Sequence, residues 1–310
     1  MDQLNRMAIE LVDEALEYAE ELNVGVTKLD SESTVLDFGI DHPGGMEGGL
    51  LLAEIQTAGL ATLRRELGTV GNATVPYVEL STDQPALSLL CAQKAGWELT
   101  TEDFEGLGSG PARALVGEED VFHRIGYSET FDLTALAVET DQSPTEAAAD
   151  QVAAFADVQP SGVFLLAYPS ASLVGSVTNA ARAAELATYR LAELGYDPRD
   201  IVSASGRAPV APVADDEGTA IARTTDALAY GGRAHLVVRE PFDDFDAITS
   251  TAAADHGVPF VEIFEGMDWH FDDAPAELFG PATVTVDVIG GETHTFGQTH
   301  EDVLVESFDL

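Results

Sequence analysis

Arg182 and Glu185 stand three residues apart in the run GSVTNAARAAELATYRL, residues 175–191. A carboxylate held beside a guanidinium can place one water molecule and take its proton. The surrounding composition makes the pair conspicuous. The chain has 55 Asp and Glu in 310 residues, so simple proportion puts about six in a window of 34. Residues 158–191 contain one, and it is Glu185. On a surface that carries acid almost everywhere, a run without it is expected to be buried or to line a site. If the run is one helix, Thr178, Arg182, Glu185 and Tyr189 fall on a single strip. The plain account is an intrahelical ion pair worth roughly a few tenths of a kcal/mol. Two features weigh against it: Arg before Glu is the poorer order for a helix, and the alanines around the pair suit close packing. Burial and a neighbouring cation push a carboxylate's affinity for protons in opposite senses, and such perturbed groups cluster at functional sites.

Three other acid-free islands each carry one cation: Lys94 in QPALSLLCAQKAGW, Arg113 in GLGSGPARALVG and Arg207 in IVSASGRAPVAPVA. Convergence of these cations on one anionic ligand is one reading; separate core segments, each with a paired or snorkelling cation, is the other. In GLGSGPARAL, Pro111 suits the first position of a helix after a Gly-Ser-Gly turn, where backbone N–H groups could meet an anion. A capped helix without a ligand fits the same residues. The surroundings of Ser109 are not the GxSxG of a nucleophile elbow, a P-loop or a GxGxxG turn. His42, His123, His235, His256, His270, His294 and His300 are scattered, with no HExxH or Cys/His cluster, and HTFGQTH reads as a surface turn. No metal, flavin or nicotinamide is called for.

The elements that must position these residues are a mixture of helices and strands. The N-terminal stretch to Leu22 reads as an acidic amphipathic helix, followed by the strand TVLDFGI, the turn DHPGGMEGG and the helix-like LLLAEIQTAGLATLRREL. TVPYVELS reads as a strand, PALSLLCAQKAGW as a helix from Pro85 to Gly96, and SPTEAAADQVAAFADV as a helix between the buried strands DLTALAVET and GVFLLAY. AHLVVRE, PFVEIF and TVTVDVI read as later strands. The expected class is mixed α/β, as two α/β subdomains, 1–157 and 158–310, whose segments could be intertwined.

The formal charge of -41, with only two lysines, Lys28 and Lys94, suits a halophile's protein working in molar salt, where screening shrinks to a few ångströms. It argues against nucleic acid or an anionic membrane as partner. The lone Cys91 rules out an internal disulfide, and the N-terminal residues lack the pattern of a signal peptide. No apolar run reaches the ~20 residues that span a bilayer. A cytoplasmic location is expected.

Five blocks, in order, resemble the methenyltetrahydromethanopterin cyclohydrolase family: GGMEGGLLLAEIQTAGLAT, STDQPALSLLCAQKAGW, LGSGPARAL, PSASLVGSVTNAARAAE and ASGRAPVAPVADDEGTAIARTTDALAYGG. The likeness runs nearly end to end. It implies hydrolysis of the N5,N10-methenyl bridge of a reduced, folate-like one-carbon carrier to a formyl group, without metal or cofactor. It also implies two α/β parts with the pterin in a cleft between them, and a homotrimer. The family's catalytic Arg and Glu fall in TNAARAAE, on Arg182 and Glu185, with Glu185 positioning and deprotonating the attacking water and Arg182 orienting Glu185 and tuning its pKa. Lys94, Arg113, Arg207, the Ser109-Gly110 turn and Glu47 of the GGMEGG block become candidate carrier contacts. Gln84 stands where the family motif favours His. The carrier could be tetrahydromethanopterin or, in a halophile, tetrahydrofolate, with the formyl group then on N5 or N10. Two other classes remain: a non-catalytic pterin-binding protein, and a hydrolase built on Ser109, for which the flanking blocks supply no base His.

Overall fold

The computed structural model describes residues 3–253, 256–267, 269 and 275–310. In chain order the elements are α1 (Leu4–Glu17), β1 (Gly25–Lys28), β2 (Thr34–Asp37), α2 (Met46–Gln56), β3 (Thr62–Val70) and β4 (Ala73–Thr82). A π-helical segment, Ala86–Gln93, precedes β5 (Ala95–Thr100), β6 (Glu105–Ser109), α3 (Ala112–Val116), α4 (Asp120–Ile125), β7 (Thr134–Glu139), α5 (Glu146–Ala156), β8 (Val163–Tyr168) and α6 (Leu173–Ala180). The remainder comprises α7 (Ala183–Glu193), β9 (Ile201–Pro209), α8 (Glu217–Gly231), β10 (Arg233–Val238), α9 (Phe260–Gly266), β11 (Thr283–Val288), β12 (Thr293–Gly297) and α10 (Glu301–Ser307). The mixed α/β class expected from the sequence is what the chain forms. Two compact units divide it: Met1–Ala61 with Leu87–Thr178, and Thr62–Ala86 with Asn179–Leu310.

The first unit holds a six-stranded sheet in the order β1-β2-β8-β7-β6-β5. Its centre is parallel, β2 with β8 and β8 with β7, and its flanks are antiparallel. Alternate residues of β7 and β8 enter different cores. Ala135, Ala137 and Leu166 pack with Leu4, Val12, Leu52 and Ile55 of α1 and α2, whereas Leu136, Val138 and Leu165 pack with Val152 of α5. Helices on both faces explain why these strands read as unbroken apolar runs.

The second unit holds another six-stranded sheet, ordered β12-β11-β10-β9-β4-β3, in which only the β10–β11 pair is parallel. One face carries α7, which packs on β9 and β10. The other carries a core of Val70, Val75, Tyr230, Phe260, Phe264, Leu304 and Phe308, contributed in part by α8, α9 and α10.

Four local readings of the sequence change. LLLAEIQTAGLATLRREL is not one helix: Ala58 and Gly59 take left-handed φ of 53° and 69°, α2 stops at Gln56, and TLRREL becomes the charged edge strand β3. The helix read from Pro85 to Gly96 is a π-helical segment ending at Gln93, and Ala95 to Trp97 opens β5. PFVEIF is a helix, because Phe260, Ile263 and Phe264 share one buried face and Pro259 caps its start. HTFGQTH supplies the edge strand β12. His270 lies outside the described residues.

Helices α8, α9 and α10 are joined by one buried carboxylate. Asp226 Oδ1 accepts the Phe260 N–H at 2.9 Å, and Oδ2 accepts the Ser307 hydroxyl at 2.6 Å. Burial pushes this carboxyl up to about 7, against the smaller opposing pull of those two hydrogen bonds and Arg223. The folded state therefore holds a proton that the unfolded chain releases near pH 4. Its stabilising contribution is complete below that pH and is lost as pH rises through about 7, at most ~4 kcal/mol in all. Asp226→Asn removes the charge while keeping both contacts, with Oδ1 accepting from Phe260 N–H and Nδ2 donating to the Ser307 hydroxyl oxygen in place of accepting from it. Denaturant unfolding in molar KCl is expected to show the wild type less stable at pH 8 than at pH 5, with the variant losing most of that difference and exceeding wild type at pH 8.

Candidate active site

The run 175–191 is a broken helix. Helix α6 ends at Ala180, the chain turns through Ala181 and Arg182, and α7 starts at Ala183 with Arg182 as its N-cap residue. The Arg182 N–H donates to the Asn179 carbonyl at 3.0 Å, and the Arg182 carbonyl accepts from Leu186 N–H at 2.9 Å. The single strip expected from Thr178 to Tyr189 therefore does not form. The break also removes the objection based on charge order. Glu185 lies in the first turn of α7, where the helix dipole favours an anion, and Arg182 lies outside the helix body.

From that position Arg182 grips one carboxylate oxygen twice. Its Nε donates to Glu185 Oε2 at 3.1 Å, and Nη2 lies 3.1 Å from the same atom. Oε1 takes no part in these contacts. Glu185 is 2% exposed, and from Gly162 onward the acid-free run is almost wholly buried or half-buried, as its composition led one to expect. A buried carboxylate of this kind needs a counter-charge, and the guanidinium supplies it while leaving one oxygen outside the pair.

Gly206 of β9 seats the start of α7. A Cβ there would come within 2.3 Å of the Ala184 backbone nitrogen, so only glycine lets helix and strand approach this closely. Nothing in the sequence spacing signals this contact, although ASGRAP places Gly206 beside a residue already of interest.

Lys94, Ser109, Gly110 and Arg113 all lie in the first unit. Lys94 Nζ and Arg113 Nε meet the two oxygens of Glu119, at 3.1 and 2.7 Å. The Arg113 side chain is 1% exposed. Its guanidinium also donates to the carbonyls of Leu90, Ala92 and Lys94, closing the end of the π-helical segment. Burial alone would raise the Glu119 carboxyl, but hydrogen bonds and charge from Arg113, reinforced by Lys94, hold it below the usual range. Ser109 Oγ accepts from Gln56 Nε2 at 2.9 Å, and Gly110 takes a φ of 108° in the turn ahead of the short α3. Gln56, fully buried, was not singled out from sequence because an amide in an apolar helix gives no spacing signal. Glu47 is exposed in the first turn of α2. Arg207 shares the second unit with Glu185 but not its face of the sheet: Gly206 faces α7, so the next residue points away.

Among the described residues no three His, Cys, Asp or Glu side chains gather to hold a metal ion, and no helix is long and apolar enough to cross a membrane. Comparison with known families gives a match to the model described as Cyclohydrolase (MCH), over residues 3–308. The chain belongs to the cyclohydrolase (MCH) family. Within it, the chain is 58% identical to the methenyltetrahydromethanopterin cyclohydrolase of Halobacterium salinarum over 310 residues, all of both chains. It is 36% identical to the protein of the same name from Methanothermobacter marburgensis over 320 residues, again all of both, and 35% identical to that of Methanospirillum hungatei over 99% of each. The family resemblance read from the five sequence blocks is thus shown along the whole chain.

Gly206→Ala tests the seating of this cyclohydrolase's Arg-Glu pair. Relieving the clash displaces the first turn of α7, costing ~1–3 kcal/mol. Thermal unfolding and turnover measured together are expected to show a lower midpoint and a fall in kcat in the fraction that remains folded.

Proposed function

We propose that this chain hydrolyses the N5,N10-methenyl bridge of a tetrahydromethanopterin-type one-carbon carrier to the formyl form, with Glu185 as general base. The observation that carries the assignment of residues is the two-pronged hold of Arg182 on Glu185 Oε2, which leaves Oε1 of a buried carboxylate outside the pair. The names of the full-length relatives support the choice of carrier.

The reaction asks little more of the protein. A methenyl bridge is an amidinium-like cation, and its central carbon is already electrophilic. A water accepted by Glu185 forms the new C–O bond as its proton passes to the carboxylate, giving a neutral tetrahedral adduct. The proton then goes to the departing nitrogen as the C–N bond breaks, and loss of the hydroxyl proton leaves the formyl group. One water is consumed, one proton is released, and no atom changes oxidation level, so the step requires no redox cofactor. A carboxylate near the cation also attracts the substrate. Arg182 acts through Glu185 as a positioning residue.

The test supplies methenyl-tetrahydromethanopterin and methenyl-tetrahydrofolate separately in molar KCl and follows loss of methenyl absorbance, corrected for spontaneous hydrolysis. Wild type is expected to turn over the methanopterin carrier rapidly, and Glu185→Gln to lose about two to four orders of magnitude in kcat. Folded wild type that turned over neither carrier would end this reading; preference for the folate would change its substrate.

A further inference from the structure

The face of the second sheet opposite α7 carries a pair of arginines that the Arg-Glu site does not use. Arg207 of β9 and Arg233 of β10 are directly opposed partners in an antiparallel ladder, so both side chains project to one side. Like charges at such positions repel. In a chain with 55 carboxylates a tight acidic partner for each would be the simple remedy. None is present among the described residues. The nearest carboxylate oxygen to Arg207 is Glu66 Oε2, 4.0 Å from Nη1, and Arg233 is in no ion pair. Arg207 Nε is buried without a hydrogen-bond partner.

The arginines line a cavity of about 300 Å³ together with Gly68, Thr69, Tyr77 and Glu301. Its shape is set in advance. The Arg207 guanidinium lies over the Tyr77 ring, 4.3 Å from its centroid. That stack depends on Gly68, where a Cβ would fall 2.5 Å from the Tyr77 ring and 3.0 Å from Arg207 Nη2. The Tyr77 hydroxyl donates to the Thr69 carbonyl at 3.0 Å, fixing the ring, and Glu301 accepts the Gly71 N–H through Oε1 at 2.8 Å. A guanidinium held flat on an aromatic ring, with an unpaired N–H and an exposed second arginine lining the same cavity, presents donors of the kind that suit an oxyanion.

We propose that the Arg207–Arg233 cavity is a binding site for a small tetrahedral oxyanion, phosphate or a phosphate monoester group, separate from the site of hydrolysis. The anion bridges the opposed guanidiniums, satisfies the buried Arg207 Nε and removes the repulsion across the β9–β10 ladder. The site is independent of the hydrolytic reading and stands or falls by its own measurement.

The experiment titrates inorganic phosphate into the full chain by calorimetry in molar KCl, with potassium sulfate and potassium acetate as parallel arms. Arg233→Gln is the principal variant, since it leaves Arg207 on Tyr77. Saturable one-to-one binding of phosphate is expected, weakened about tenfold or more in Arg233→Gln, with the rate of methenyl hydrolysis unchanged. Sulfate binding alongside phosphate, with acetate weaker, supports a tetrahedral-oxyanion site; phosphate alone points to its protonated form or to a monoester. No binding of either tetrahedral ion, equal binding in the variant, or a variant whose sedimentation shows an altered oligomer without any anion binding would each overturn the proposal, the last by assigning the arginines to a contact between copies of the chain. Thermal unfolding of Arg233→Gln confirms that the variant compared is folded.

Discussion

A buried charge has to be answered inside the protein, and in a chain of formal charge -41 that requirement governs where everything else can go. Carboxylates are abundant enough to cover the surface, so the few that are buried are set apart by their partners. Glu185 is met by Arg182. Arg113, the largest fully buried side chain, is met by Glu119 and by three backbone carbonyls. Asp226 has neutral hydrogen-bond donors and only a weak pull from Arg223, and it responds by holding its proton to higher pH. Three solutions to one electrostatic problem yield a candidate site, a structural clamp and a titrating tie between helices.

The same constraint decides what was legible beforehand. The absence of acid marked the interior run ending at Leu191, period-two apolar patterns marked β4, β10 and β11, and unbroken apolar runs marked β7 and β8. Less visible were features fixed by contacts distant in sequence. TLRREL became a strand because it pairs with β4, and PFVEIF became a helix because Asp226 and the α8 face receive it. The break before α7 was hidden because Ala181 and Arg182 are good helix formers, and it is Gly206 on another strand that sets the approach of the new helix. The cation islands were visible, but whether each cation served a carboxylate, a carbonyl or a cavity was not. Lys94 and Arg113 share one acid, whereas Arg207 lies on an aromatic ring.

Strand β9 shows how much a single step along a pleat can separate. Gly206 lies against α7 and the Arg182–Glu185 pair that α7 positions. Arg207, one residue later, belongs to the opposite face, with Tyr77, Gly68 and Arg233. With β9 held between β4 and β10, two neighbouring residues support two arrangements on opposite faces of one sheet.

The discontinuous second unit has a consequence for how the chain is made. The β3–β4 hairpin leaves the ribosome with residues 83–200 still to be synthesised before β9 can pair with the open side of β4. During that interval the hairpin is a two-stranded ribbon, a form that is marginal alone and has an unpaired edge. Arg64, Arg65, Glu66 and Glu79 place charge of both signs on the ribbon, while the segments beside it, residues 55–61 and 84–97, contain no acid. Those four charges, rather than the acidity of the rest of the chain, thus blunt an early, waiting edge against the same edge on a neighbouring nascent chain.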